Sequence, residues 1–309
     1  MIRLATRASE LALAQARAVA DALSARGARV EVVPMRTEGD RLADARLAAV
    51  GGKGLFVREI EAALLRGDAD VAVHSLKDLP AEQPAGLCLA AFPERADARD
   101  VLVTRDAVRF CDLSAGAVIG TSSPRRCALV LGVRPDLTVQ PIRGNVDTRL
   151  RKLEQVGFDG IVLAAAGLER LGITPPHAEP LSPDVFVPAV GQGVLAVEAR
   201  ADDRATLDAL RALDHTPTRV CALAERAFLR RLGASCVTPM AAHARTVAAG
   251  RLRLDGVVAS EDGRTVLRES MDDVAEAAGA LGVRVANALL ARGAADVVAL
   301  RPAEASRER

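Results

Sequence analysis

The chain has 309 residues, 50% of them apolar and 26% charged, which is length enough for two or three domains that each bury a core. Its 41 basic side chains face 40 acids, so a generally polyanion-binding surface is disfavoured. Six Phe are the only aromatics, which argues against a single-strand nucleic-acid binder that stacks bases on aromatic platforms.

No run reaches the ~18 to 20 apolar residues of a membrane helix. The opening MIRLATRASELALAQARAVADAL interrupts its apolar residues with Glu10, Gln15, Arg17 and Asp21, unlike a signal peptide. The expectation is therefore a cytoplasmic protein with no membrane partner. Cysteines at 88, 111, 127, 221 and 236 are odd in number and contain no CxxC pair; with four scattered His they predict neither a disulfide framework nor a metal site. Lys53, Lys77 and Lys152 are the only lysines, so cationic chemistry falls to arginine, which grips carboxylates bidentately.

In chain order, an apolar stripe at Ala12, Ala16, Val19 and Leu23 predicts one helical face. Strand patterns follow at 30–35 (VEVVPM), 69–76 (ADVAVHSL), 117–123 (AVIGTSS) and 159–167 (DGIVLAAAG), alternating with helical stretches. That alternation predicts mainly parallel sheets covered by helices. Three pairs of segments echo one another in the same order: LATRAS with IGTSS, VPMRTEGD with QPIRGNVD, and RGDADVAVHS with VGFDGIVLAA. Two similar α/β units with a ligand between them are expected, because helix N-termini at strand carboxyl ends favour anions. The style changes near His215–Pro217. A helix at 216–233, strands around 237–248, 251–260 and 264–271, and a helix at about 273–291 predict a separate α+β domain.

Between Thr121 and Lys152 seven cationic residues face Asp136 and Asp147, a concentration of positive charge in a neutral protein. It could be a solvated helix face. TSSPRR, however, puts hydroxyls and two guanidiniums at a strand-to-helix turn, which better suits a small carboxylate-bearing ligand. In HSLKDLP, Lys77 and Asp78 follow a strand and point to the inter-unit crevice; His74, Ser75 and Asp78 lie too close together for a hydrolase triad. GGKGLF at 51–56 reads as a lid or an ordinary loop, and lacks the Ser or Thr of a phosphate-binding loop after Lys53. VGQGVLA at 190–196 precedes a strand instead of opening a helix, against dinucleotide binding. Cys236 follows a helix end, where a turn could expose its sulfur, although a free Cys is most often a buried hydrophobe.

Taken together, LATRASELALAQA, GD with VGGKGLF, AVHSLKDLP, ERADARD, IGTSSPRR, IRGNVDTRL, LAAAGLERLG, PAVGQG and the late Cys resemble the porphobilinogen deaminase (hydroxymethylbilane synthase) family, from residue 4 to about 240. The resemblance implies an α/β fold with two type II periplasmic-binding-protein-like domains, 1–93 with 194–214 and 99–187, plus a small α+β domain at 216–309. It implies a transferase that condenses four porphobilinogens head to tail, losing ammonia, to hydroxymethylbilane. The expected cofactor is a dipyrromethane on a thioether to Cys236, the partner is porphobilinogen with no nucleic acid, and the expected state is monomeric.

By the same correspondence Asp78 is the catalytic carboxylate, matched to the cation left when the aminomethyl nitrogen departs. Arg7, Ser9, Lys77, Thr121, Ser122, Ser123, Arg125, Arg126, Arg143, Gly144, Arg149, Arg170 and Gln192 would contact carboxylates or pyrroles, and Lys53 and Phe56 would belong to the lid. A cofactor plus four added rings gathers about a dozen carboxylates, which the arginine excess would answer. The alternative is a two-lobed solute-binding or sensor protein, which would use the arginines but not Asp78 or Cys236. A nucleic-acid-binding regulator is a further rival, to be recognised by steep salt dependence.

Overall fold

The computed structural model describes residues 1–35, 57–155, 157–234, 238–248, 250–298 and 300. The first run holds β1 (Ile2–Arg7), α1 (Glu10–Ser24), β2 (Val30–Met35), α2 (Arg58–Arg66), β3 (Val71–Ser75) and β4 (Leu87–Ala91). The chain then crosses to β5 (Asp100–Thr104), β6 (Val118–Gly120), α3 (Pro124–Val133), β7 (Thr138–Gln140), α4 (Val146–Gln155), β8 (Gly160–Ala164), α5 (Ala165–Arg170) and β9 (Ala178–Pro180). It returns as β10 (Leu195–Arg200) and α6 (Arg204–Leu210), and ends in α7 (Thr216–Leu232), β11 (Met240–Ala248), β12 (Arg251–Ala259), β13 (Val266–Val274), α8 (Ala278–Ala291) and α9 (Ala294–Val297).

Local chemistry accounts for two of the helix starts. The Ser9 side chain accepts from the Ala12 N–H at 3.4 Å and caps α1, which buries Ala12, Ala16, Val19 and Leu23 as the stripe predicts. Ser123 caps α3 in the same way, with Pro124 in the first turn where its missing N–H costs no helical bond.

The two large sheets share one plan. Their orders are β2-β1-β3-β10-β4 and β7-β6-β8-β5-β9. In the first, β1 runs parallel to β2 and β3, while β10 runs antiparallel to β3 and β4. In the second, β6 runs parallel to β7 and β8, while β5 runs antiparallel to β8 and β9. The fourth place in each sheet is thus filled by the strand that has just arrived from the other half, which is the type II arrangement. The three sequence echoes fall on β1 and β6, β2 and β7, and β3 and β8, at equivalent positions in the two sheets.

The last part is an antiparallel sheet, β11-β12-β13, packed against α7 and α8 through fully buried Phe228, Leu232, Leu281 and Val285. Burying apolar side chains such as these contributes about 1.5 to 3 kcal/mol each. Two boundaries differ from the sequence reading. β13 continues to Val274 because Asp272 and Asp273 stay in the ladder opposite Arg253 and Leu252, with Asp273 also 2.6 Å from Arg284. The following helix therefore starts at Ala278, after one 3-10 turn. Among the described residues no helix is long and apolar enough to cross a membrane.

Candidate active site

The carboxyl ends of the parallel strands converge between the two sheets, where open α/β folds bind ligands. β1 ends in Arg7 and leads to Ser9; β3 leads into a 3-10 turn, Leu76–Asp78; β6 leads to Thr121, Ser122 and Ser123; β8 leads into α5 and Arg170. That turn sits close to the returning chain. A Cβ on Gly191, whose φ is +72°, would lie 2.7 Å from Leu76 Cγ and 3.0 Å from the Lys77 N, so only glycine lets the two segments approach this closely.

Two cavities share this region. The smaller, about 200 Å³, is lined by Arg7, Lys77, Arg126, Arg149 and Arg170, with Ser9 and Gly144. Glu10 and Asp147 are its acids, so the cations dominate. Desolvation lowers the pKa of Arg149, with Arg126 adding to the effect, and desolvation likewise lowers that of Arg170. Both guanidiniums are partly tethered: Arg149 Nε donates to the Gly144 carbonyl at 2.8 Å, and Arg170 Nη2 to the Gly193 carbonyl at 2.6 Å.

The larger cavity, about 720 Å³, falls in the size range of small-molecule sites. Asp78 lines it, together with Lys77, Ser123, Arg125, Arg126 and Gln192. Leu229 and Arg230 of α7, Gly233 and Ala234 just after it, and Thr238 line it as well. Gly233 takes φ +61° to end that helix, turning the chain toward the cavity. Lys77 and Arg126 line both cavities. Burial, with neighbouring Arg126 and Arg125 acting in the same direction and Asp78 and Asp100 partly offsetting them, pulls the Lys77 ammonium down to about 8.

One carboxylate organises the cationic turn. Asp100, fully buried at the start of β5, receives Arg125 Nη1 at 2.7 Å, Arg125 Nη2 at 3.2 Å, Arg126 Nη2 at 2.8 Å, Arg126 Nε at 3.0 Å and Gln192 Nε2 at 2.9 Å. Burial opposes its ionisation, but the charges of Arg125 and Arg126 outweigh that and hold the carboxyl far below its usual range. Sequence reasoning missed Asp100. The signal was present in ERADARDVLVT, where one acid opens an otherwise apolar strand and must find a partner once buried.

The remaining expected residues divide. The Thr121 side chain accepts from the Ser123 N–H at 3.2 Å and the Ser122 hydroxyl donates to the Ile142 carbonyl at 2.8 Å, so these hydroxyls shape the turn; neither residue, nor Arg143, lines either cavity. His74, Ser75 and Asp78 form no relay: His74 Nε2 is 3.2 Å from buried Glu198, and Gln15 Nε2 donates to Ser75 Oγ at 3.0 Å. Lys53, Phe56 and Cys236 lie outside the described residues. Among the described residues no group of three or more His, Cys, Asp or Glu could hold a metal ion.

Comparison with known proteins adds two family matches, to the dipyrromethane cofactor binding domain of porphobilinogen deaminase over residues 2–208 and to that family's C-terminal domain over residues 219–291. A porphobilinogen deaminase of Syntrophotalea carbinolica is 50% identical over 300 residues, covering 96% of this chain and 95% of the relative. One of Brevibacillus brevis is 46% identical over 299 residues, covering 96% of each. A solved periplasmic substrate-binding protein of an ABC transporter from Coxiella burnetii is similar over 73% of this chain and 97% of its own, at 16% identity and a TM-score of 0.43.

Proposed function

The chain belongs to the porphobilinogen deaminase family, and from that premise we propose that Asp78 is the catalytic carboxylate of a transferase whose primer is anchored on Cys236. The observation that carries this reading is that Asp78 shares one cavity with Ala234 and Thr238, which flank Cys236 on both sides. The three sheets support a division into 1–93 with 194–214, 99–187, and 216–309. Both key side chains belong to one chain, which suits a monomer, and we assign it to the cytoplasm.

The residues fit a dipyrromethane. Two cavities that share Lys77 and Arg126 hold a surplus of guanidinium and ammonium groups, and Arg125 Nε is buried without a partner beside the larger one. Arg7, Arg149 and Arg170, with Lys77, would pair with its acetates and propionates or with those of added pyrroles. When bound, the cofactor supplies a pyrrole with a free α-position as the nucleophile that starts the chain. A thioether at Cys236 resists hydrolysis, unlike an ester, so the anchor outlasts product release.

Asp78 answers two demands of the substrate. Its carboxylate can accept a hydrogen bond from the pyrrole N–H, and it offsets the positive charge that develops on the incoming ring as ammonia leaves. Lys77, next in the same turn, keeps a carboxylate of that ring close by. The test is incubation with porphobilinogen: stoichiometric release of ammonia with formation of hydroxymethylbilane is expected, and tight binding without ammonia release would contradict the reading.

A further inference from the structure

Arg125 and Arg126 occupy the first turn of α3, where the helix dipole already carries positive character. Two guanidiniums there repel each other and the dipole unless an anion is present. Asp100 is that anion, and it belongs neither to α3 nor to its flanking turn. It stands where the chain has just crossed from the first sheet into the second. Gln192, on the segment that crosses back, donates from Nε2 to Asp100 at 2.9 Å and to the Ala98 carbonyl at 2.7 Å. Both crossing segments are therefore bound to one carboxylate, and that carboxylate holds both guanidiniums. Further bonds fix the fork: Arg125 Nη1 donates to the Val187 carbonyl at 2.9 Å, and Arg126 Nη1 to the Val162 carbonyl at 2.8 Å.

We propose that Asp100 is a positioning residue that sets the direction of Arg125 and Arg126 and latches it, through Gln192, to the hinge between the two large lobes. The inference rests on the function proposed above. It assigns Asp100 no contact with substrate. Its role is to keep the cavity-facing N–H edges of two buried cations in register with the crossing segments, so that the carboxylate-binding geometry and the lobe angle change together. A growing chain that needs more room then moves the lobes without scattering the cations that hold it.

Two variants of the holoenzyme test this. Asp100→Asn keeps the shape and removes the charge. We expect intact mass to show the cofactor retained and KM for porphobilinogen to rise about tenfold, the lower end of losing a charge-assisted bond, with kcat changed less. Gln192→Met removes the amide donor to the hinge but leaves both arginine pairs. Its radius of gyration in X-ray scattering should exceed that of the wild type and respond less to substrate. A lower melting temperature in Asp100→Asn with an unaltered KM would overturn the positioning role. Wild-type scattering from Gln192→Met would overturn the latch, and decides it even if Asp100→Asn does not fold. Wild-type protein that releases no ammonia in the same assay would instead overturn the functional reading.

Discussion

Arg95 Nη1 lies 2.6 Å from Glu225 Oε1, joining the first crossing segment to α7. Glu225 is fully buried and also accepts from the Gly191 N–H at 2.6 Å and the Ala244 N–H at 2.8 Å. Arg95 Nε donates to the Gln192 carbonyl at 2.9 Å. One buried carboxylate thus ties both crossing segments to the C-terminal part, beside the turn that carries Asp78. Glu225→Ala leaves a largely buried guanidinium without its carboxylate, so a loss of about 3 to 5 kcal/mol is expected in thermal or denaturant unfolding. A loss below about 1 kcal/mol, the scale of an exposed pair, would show that the junction does not depend on it.

Asp78→Asn should fold, keep its cofactor and lose nearly all turnover. The exposed side chain makes the substitution structurally mild, so circular dichroism and melting should match the wild type. Turnover near the wild-type rate would remove Asp78 from the chemistry.

Lys77 predicts a pH effect. With its pKa drawn down to about 8, the ammonium loses its proton as pH rises through that value, and carboxylate binding weakens with it. KM should climb above about pH 8, while Lys77→Arg should hold its KM to higher pH because a guanidinium stays charged. The sign for stability is opposite. The folded pKa lies below the unfolded value of 10.5, so the buried charge costs stability below pH 8 and that cost is relieved between the two values. Superimposable KM profiles for the two proteins would exclude Lys77 as the titrating group.

Gly191→Ala brings a methyl group to 2.7 Å from Leu76 Cγ at a backbone angle that L-residues avoid. Strain of about 1 to 3 kcal/mol is expected, and the displaced turn carries Lys77 and Asp78. The variant should lose kcat more than it loses melting temperature. Equal kcat in both proteins would mean that the turn yields without moving Asp78.

Arg149→Leu removes a half-buried cation from the smaller cavity. Loss of a charge-assisted contact should weaken binding or elongation by about 1.5 to 3 kcal/mol. Unchanged kinetics at every addition would count against the contact.

Much of this was legible in the residues themselves. The apolar period gave α1, and the three echoes gave two sheets of one plan, because β1, β2 and β3 meet the same packing demands as β6, β7 and β8. The strand-end motifs identified Asp78, Lys77 and most of the cations that line the cavities. Long-range charge pairing was not legible. Asp100 and Arg125 are 25 positions apart and Arg95 and Glu225 are 130 apart, and no local pattern announces such partners. For the same reason no local pattern announces that the Thr121 hydroxyl accepts from the Ser123 N–H and the Ser122 hydroxyl donates to the Ile142 carbonyl.

The central claim is that the sulfur at position 236 carries a primer facing Asp78, and intact mass tests it most directly. Purified wild-type protein should be heavier than its translated chain by two pyrrole units derived from porphobilinogen, and Cys236→Ser should show the chain mass alone. An active wild-type protein at the bare chain mass, or the same added mass on Cys236→Ser, would contradict the account.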